Sequence, residues 1–311
     1  MKKKSGIVGD INPLLIALLK CKNIIASPVL LGTRDFGRNL ESYPMMERLN
    51  YVVVKTVINS MDYHLDAATP FLPFGKLPYK CCNGHGRVIS TNDTAAVYCY
   101  ANSLKETRMV SIFVINTEKN GVEGSYTNKM GFFESMDTKN SIAKSGVEAY
   151  KKNLQQGFPE DFLINNIGVD SLQLVEETVS VKFDFTLSSF KNADIFYFNP
   201  MMGDAIMKNP FYAAERIYFV EMPFTKDDNY VLNMEIPWGY KIDELPKSAR
   251  IMLNENERMF EYLISADATI IQMRCRIMLK KANFSGEDYQ TLRNFYGYIV
   301  KKKQSKLYLK K

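Results

Sequence analysis

The chain has 311 residues, 46% hydrophobic and 24% charged, a globular composition that excludes a disordered or low-complexity protein and leaves room for two or three domains with real cores. The net charge of +6 is mild and comes largely from the lysine-rich ends, Lys2-Lys3-Lys4 and Lys301-Lys302-Lys303 through Lys310-Lys311. Solvated lysines beside a helix C-terminus account for the latter run. No aromatic-interleaved basic motif marks a nucleic-acid surface, and no stretch approaches the ~20 apolar residues of a membrane span.

The first element is a helix over Asp10–Leu19. Leu14, Leu15, Leu18 and Leu19 recur at helical spacing to make an apolar face, and Pro13 falls in the first turn, where a missing N–H is tolerated. Strands follow at Ile24–Leu31, Asn50–Val57 and Tyr63–Ala67. Lys80-Cys81-Cys82-Asn83-Gly84-His85-Gly86-Arg87 places two thiols and an imidazole within a short span, which invites a zinc reading. A structural zinc takes four ligands, and the only other histidine is His64. A Gly-rich turn between domains, with Gly84 and Gly86 at positive φ, is the preferred reading, and neither a metal nor a cofactor is expected.

The five cysteines, Cys21, Cys81, Cys82, Cys99 and Cys275, are odd in number and scattered, which does not read as a disulfide framework. Strands are expected at Ala95–Ala101 and Met109–Asn116, a turn at Glu118-Lys119-Asn120-Gly121, and an outward strand over Gly121–Gly131. One helix is expected over Asp137–Gln156, capped by Asp137 or Thr138 and ended by Gly157 and Pro159. Ile164–Val169 and Leu172–Leu187 return to strands, with clean alternation at Val179, Val181, Phe183 and Phe185. Asp194–Pro200 is an apolar strand followed by a loop at Met201–Asp204.

Past Asn209, strands are expected at Arg216–Pro223, Tyr230–Pro237, Ala249–Leu253, Met259–Ile264 and Thr269–Met278, with turns at Asp227-Asp228 and Trp238-Gly239-Tyr240. Short strands at regular spacing argue a β-sandwich. Ser285-Gly286-Glu287-Asp288 resembles a capping box before a helix from Glu287 to Lys302, which carries Leu292, Phe295, Tyr296 and Ile299 on one face. Leu307 and Leu309 would add a final edge strand. The domain reading is 1–82, 83–205 and 206–311.

Three short elements at the front carry a family resemblance: Gly6-Ile7-Val8-Gly9-Asp10, Leu49-Asn50-Tyr51-Val52 and Leu65-Asp66-Ala67-Ala68. They resemble the Gly-x-Cys-x-Asp, His and Leu-Asp-Ala-Thr elements of bacterial transglutaminase-like domains. At the back, Tyr230-Val231-Leu232-Asn233, Ile236-Pro237-x-Gly239-Tyr240, Glu244-Leu245-Pro246-Lys247-Ser248 and Tyr289-x-x-Leu292-Arg293-x-Phe295-Tyr296 resemble the C-terminal β-sandwich domain of unknown function that follows them. The resemblance implies an α+β chain. A partial papain-like transglutaminase core, one helix plus antiparallel strands, would precede two β-rich domains, the last a β-sandwich with a C-terminal helix. It also implies that the chain is the C-terminal part of a longer, exported protein, since Met1-Lys2-Lys3-Lys4 leads straight into the nucleophile position without an export signal of its own.

The family's triad positions fall on Val8, Tyr51 and Asp66. Such chemistry needs a thiolate, an imidazole to activate it and a carboxylate to orient the imidazole. Valine has no nucleophile, and a tyrosine with an ordinary pKa near ~10 is a poor base at neutral pH. Only the carboxylate survives. The expectation is therefore a non-catalytic protein, structural or binding a peptide or polysaccharide in the vestigial cleft between the Tyr51 strand and the helix after Val8. The alternatives are an active cysteine-dependent enzyme with a relocated nucleophile, Cys21 or Cys82, paired with His64 or His85, and a gene fragment without an independent role.

Overall fold

The structure is a computed structural model, and it describes residues 5–39, 41–43, 45–90, 96–117, 121–158, 162–187, 194–254 and 257–311. The chain forms a mixed α+β, strand-rich protein with several antiparallel sheets, divided into two compact units. Unit 1 comprises Met1–Leu104 with Gln173–Glu177 and Met222–Phe224, and unit 2 the remainder. Among the described residues no helix is long and apolar enough to cross a membrane.

Unit 1 opens on α1 (Val8–Cys21), followed by β1 (Ala26–Leu31), β2 (Tyr51–Ile58), β3 (Met61–Leu65), β4 (Asn83–Val88) and β5 (Ala96–Tyr100). The strands form one antiparallel sheet in the order β3-β2-β1-β4-β5. The helix starts two residues before the expected Asp10. Pro13 therefore lies past the first turn, where its missing N–H removes a helical bond. The buried stripe also differs from the expected leucine face. Asn12 and Ile16 are buried, with Leu15 and Leu19 half-buried beside them, whereas Leu14 and Leu18 are exposed. Spacing of i, i+3, i+4 and i+7 holds, but a polar residue belongs to the stripe.

The expected Gly-rich turn after Lys80 is instead a short 3-10 turn at Tyr79–Cys81 leading into β4. Gly84 takes a φ of +102°, while Gly86 lies in ordinary extended backbone, where its small size lets the strand pass Val29 and Leu30. β4 pairs with β1, Leu31 facing Gly86. The expected boundary at 82/83 thus falls beside a strand that joins the first sheet.

Unit 2 holds β6 (Lys105–Thr117), β7 (Gly121–Lys129), α2 (Phe132–Ser145), α3 (Val147–Gln156), β8 (Phe162–Asp170), β9 (Ser180–Leu187), β10 (Ile195–Phe198), β11 (Val220–Glu221), β12 (Thr225–Glu235), β13 (Lys241–Glu244), β14 (Ala249–Leu253), β15 (Arg258–Ala266), β16 (Ile270–Leu279), β17 (Asn283–Phe284), α4 (Tyr289–Lys303) and β18 (Leu307–Lys310). Eight strands form one sheet in the order β14-β15-β16-β12-β6-β7-β9-β8, antiparallel except for the β12–β6 pair. That parallel pair joins strands from the two segments expected as separate domains, 83–205 and 206–311, into one sheet.

An aromatic stack fills one end of its core. Phe162 lies 4.2 Å from Phe185 and 4.6 Å from Phe158, and Tyr126 lies 4.5 Å from Phe183, all as ring centroids. Offset ring pairs of this kind add to the large area each aromatic buries.

Several local expectations are corrected here. The single helix over Asp137–Gln156 is two helices, which start earlier, at Phe132, and break at Gly146, where φ is +84°. The strand expected over Arg216–Pro223 shrinks to the two residues of β11, since Ile217 and Tyr218 are exposed and lie outside any ladder. Asp227 and Asp228 make no turn and lie inside β12, because Arg276 on the neighbouring β16 donates to Asp227 at 2.7 and 2.8 Å and Lys226 pairs with Asp228. β18 is no edge strand. It sits between β10 and β13.

Helix α4 starts at Tyr289, two residues after the expected Glu287, and the reciprocal bonds of the expected capping box close the turn before it. Ser285 Oγ accepts from the Asp288 N–H at 3.2 Å, and Asp288 Oδ2 accepts from the Ser285 N–H at 3.4 Å. The turn expected at Glu118-Lys119-Asn120 and the Pro159 stop lie outside the described residues.

Candidate functional site

The three triad-like positions come together in unit 1. Val8 is the first residue of α1, and Asp10 three residues after Ile7 accepts the Ile7 N–H at 3.0 Å, satisfying a donor at the helix start. Tyr51 opens β2, and Asp66 follows directly on β3. Tyr51 is buried among Val29, Leu31, Val53, Leu77, Cys81 and Val88, with half-buried Val8 packed against the same cluster. The place expected for a cleft between the Tyr51 strand and the Val8 helix is thus filled by apolar side chains.

The polar part is a closed knot around Asp66, which is itself buried. Its Oδ2 accepts from the Tyr51 hydroxyl at 2.8 Å and from Thr69 Oγ1 at 2.7 Å. Its Oδ1 accepts from Asn12 Nδ2 at 2.8 Å and from the Ala68 N–H at 2.8 Å. A carboxylate has roughly four lone-pair sites, and protein donors take all of them. Asn12 completes the knot. Its Nδ2 also donates to the Val52 carbonyl at 2.8 Å, and its Oδ1 accepts the Ala67 N–H at 2.8 Å.

Asn12 and Thr69 escaped the sequence reading. The available signal was a polar residue at the i−4 position from a buried isoleucine, on the face of an otherwise apolar helix.

The geometry sets the electrostatics. Burial pushes the Tyr51 hydroxyl well above its ordinary range, its bond to Thr69 opposes the rise, and its bond to Asp66 adds to it. Tyr51 therefore stays protonated at any physiological pH and acts as a donor, not a base. Lys80 Nζ lies 4.8 Å from the centre of the Tyr51 ring, at cation–π distance.

The thiol in this neighbourhood is Cys81, which the sequence reading passed over in favour of its neighbour. It is buried, and its thiol is pushed up to about 12 by burial first and by Asp66 second, with Lys80 opposing. Burial therefore keeps this thiol protonated and poorly nucleophilic at neutral pH.

The relocated-nucleophile candidates are dispersed. Cys82 is bonded to Cys99 across a sequence separation of 17, with the Cα atoms 4.5 Å apart, so it can serve neither as a nucleophile nor as a metal ligand. The five cysteines thus include one pair and no wider disulfide framework: the two meet because β4 pairs with β5, which sets Gly84 opposite Cys99. Cys21 is the exposed last residue of α1. His64 on β3 faces Lys55 on β2, has a buried Nε2 without a hydrogen-bond partner, and is held below the usual imidazole range by burial. His85 on β4 faces Tyr98 on β5, and neither of its buried ring nitrogens has a hydrogen-bond partner. Among the described residues no group of three or more His, Cys, Asp or Glu side chains could hold a metal ion.

Comparisons with known proteins add a family for the back of the chain. A solved structure described as that of a "putative protease" from Parabacteroides distasonis is similar at 12% identity with a TM-score of 0.47, covering 96% of this chain and 43% of that one. The chain thus spans less than half the length of that protein. No curated protein matches the sequence. Residues 194–309, from β10 to β18, match the family described as "Domain of Unknown Function with solved-structure structure (DUF3858)". The expectation that the C-terminal part is a domain of unknown function is met over those residues.

Proposed function

We propose that this protein is a non-catalytic relative of bacterial transglutaminase-like proteins, with unit 1 a remnant of a papain-like core that has become a structural and binding scaffold. The observation that carries this reading is the saturated knot at Asp66. In a working triad the carboxylate orients an imidazole, which in turn activates a thiol. Here Asp66 receives four protein donors, one of them a tyrosine hydroxyl that stays protonated, and the position at the helix start is an aliphatic valine packed against the apolar cluster that holds Tyr51. Losing nucleophile and base together removes the covalent route, because triad members act as a unit. The role that remains is scaffolding or the binding of a peptide or polysaccharide.

The test is enzymatic and chemical together. Purified full-length chain is offered a glutamine-containing peptide with a dansylated amine, then a casein substrate, while iodoacetamide labelling is followed residue by residue. The expected result is no amine incorporation or cleavage above background, labelling at exposed Cys21 at the rate of an ordinary thiol, and no labelling of Cys81 in the native state. Turnover that disappears in Cys21→Ser or Cys81→Ser would overturn the proposal in favour of a relocated nucleophile.

A further inference from the structure

The chain's one tryptophan stands far from the Asp66 knot in sequence and belongs to unit 2. It lies in the turn Pro237–Tyr240 after β12 and is 59% exposed. Beside it is a groove of about 410 Å³, walled by the end of β6, the end of β12 with its turn, and the turn between β15 and β16. Asn116, Glu235, Trp238, Tyr240, Thr269 and Ile270 are among its lining residues.

The walls are pinned. The Asn116 N–H donates to Glu235 Oε2 at 2.8 Å, and Asn116 Nδ2 donates to the Ile236 carbonyl at 2.9 Å. Ile236 N–H donates to the Thr269 carbonyl at 2.8 Å, and Tyr240 N–H closes the turn on the Pro237 carbonyl at 3.0 Å. Gly239 takes a φ of +83° there, which an L side chain rarely adopts. On the far wall Asp267 Oδ1 accepts the Thr269 and Ile270 N–H groups at 2.7 and 2.9 Å. A large exposed indole held on a rigid turn, next to a polar groove, is the arrangement of a preformed binding site rather than of a core.

The chemistry of the lining selects the ligand class. The groove offers two acceptors, Glu235 Oε1 and Asn116 Oδ1, that have no protein donor among the described residues, and the indole Nε1–H of Trp238 as a donor. A ligand must therefore bring hydrogen-bond donors along one edge and a flat apolar face for the indole. The Glu235 carboxylate disfavours an anion. A cation would be drawn to Glu235 but would meet no aromatic cage, since the second ring of the groove, Tyr240, is buried and already has Lys311 Nζ 5.6 Å from its centre.

A pyranose meets all of these conditions, with axial C–H groups on one face and hydroxyl donors around the rim. We propose that the Trp238 groove binds a neutral polysaccharide chain, one sugar ring stacked on the indole and its hydroxyls donating to Glu235 and Asn116. This site is independent of the reading given to Asp66.

Intrinsic fluorescence of the full-length chain reports this site alone, because Trp238 is the sole indole. The probes are cellohexaose, chitohexaose and mannohexaose, with trimethyllysine peptide and hexagalacturonate as charged counterparts. The expected result is a saturable change with at least one neutral hexaose and none with the charged probes. Calorimetry on Trp238→Ala should show at least about tenfold weaker binding, and on Glu235→Gln about threefold weaker binding, with far-UV circular dichroism unchanged in both. The proposal is overturned if no neutral hexaose gives a saturable response up to about 10 mM, if Trp238→Ala binds as wild type does, or if only a charged probe binds.

Discussion

Asn12 reaches three partners from the buried stripe of α1: the Val52 carbonyl, Asp66 Oδ1 and the Ala67 N–H. It therefore ties the helix to β2 and to the segment that follows β3. Removing one partner of a buried hydrogen bond leaves the other unsatisfied, at about 1–3 kcal/mol each. Asn12→Ala and Asp66→Ala should each cost unit 1 about 3 kcal/mol, because each strands several buried groups. Tyr51→Phe should cost only about 1 kcal/mol, since Asp66 keeps the donors from Asn12, Ala68 and Thr69. Urea denaturation read through amide exchange in β2 gives the ranking. A Tyr51→Phe penalty as large as that of Asp66→Ala would mean that the hydroxyl, and not the carboxylate, anchors the knot.

At the scale of elements, β7 shows how a strand can depend on one missing methyl. Gly124 pairs with Val114 on β6 and Phe185 on β9. A Cβ there would collide with the Phe185 ring and with the Phe113 carbonyl, and the latter is backbone that cannot turn aside. Gly124→Ala should destabilise unit 2 by about 2–3 kcal/mol, the range for overpacking a filled site, with the loss measured by chemical denaturation. A neutral result would mean that the Phe113 backbone and the Phe185 ring both give way without disturbing the 4.2 Å stack on Phe162.

Elements of this kind divide into those legible in the sequence and those that are not. The alternation of Val181, Phe183 and Phe185 gave β9, and the stripe of Leu292, Phe295, Tyr296 and Ile299 gave α4, because local periodicity records which face is buried. The β6–β12 pairing was not legible, since Ile112 and Leu232 meet across a sequence separation of 120 with no local mark of it. Asp227-Asp228 resembled a turn because the compensating Arg276 lies on another strand. At the candidate site, Asn12 and the Cys82–Cys99 bond required the three-dimensional pairing of distant segments, whereas Thr69 bonds Asp66 from only three residues along the chain and carries no periodic signal that would mark it.

Across the whole molecule the two units are held by different devices, and acid should reveal the one in unit 2. Asp204 lies between Lys303 Nζ on α4 at 2.9 Å and the Arg108 guanidinium on β6, and Arg108 Nε also stands 3.6 Å from Glu134 on α2. Burial alone would raise the Asp204 carboxyl, but Lys303 and Arg108 outweigh it and hold it below the usual aspartate range. Its contribution is then present above the unfolded value near ~3.9 and is lost as pH falls through the lowered folded value. Glu106 and Glu134 run the opposite way, raised chiefly by burial, so their contribution fades as pH climbs through their folded values. The total acid profile mixes both signs, and the difference between wild type and Asp204→Asn isolates one. At pH 7 the variant leaves buried Lys303 without its carboxylate and half-buried Arg108 with Glu134 alone, and should be less stable by about 3 kcal/mol. That gap should hold above the unfolded carboxyl value near ~3.9 and narrow only as pH falls through the lowered folded value, where Asp204 itself takes up a proton. Urea midpoints measured along that series decide it, because a gap independent of pH would mean that Asp204 stabilises the unit through packing and hydrogen bonding rather than through its charge.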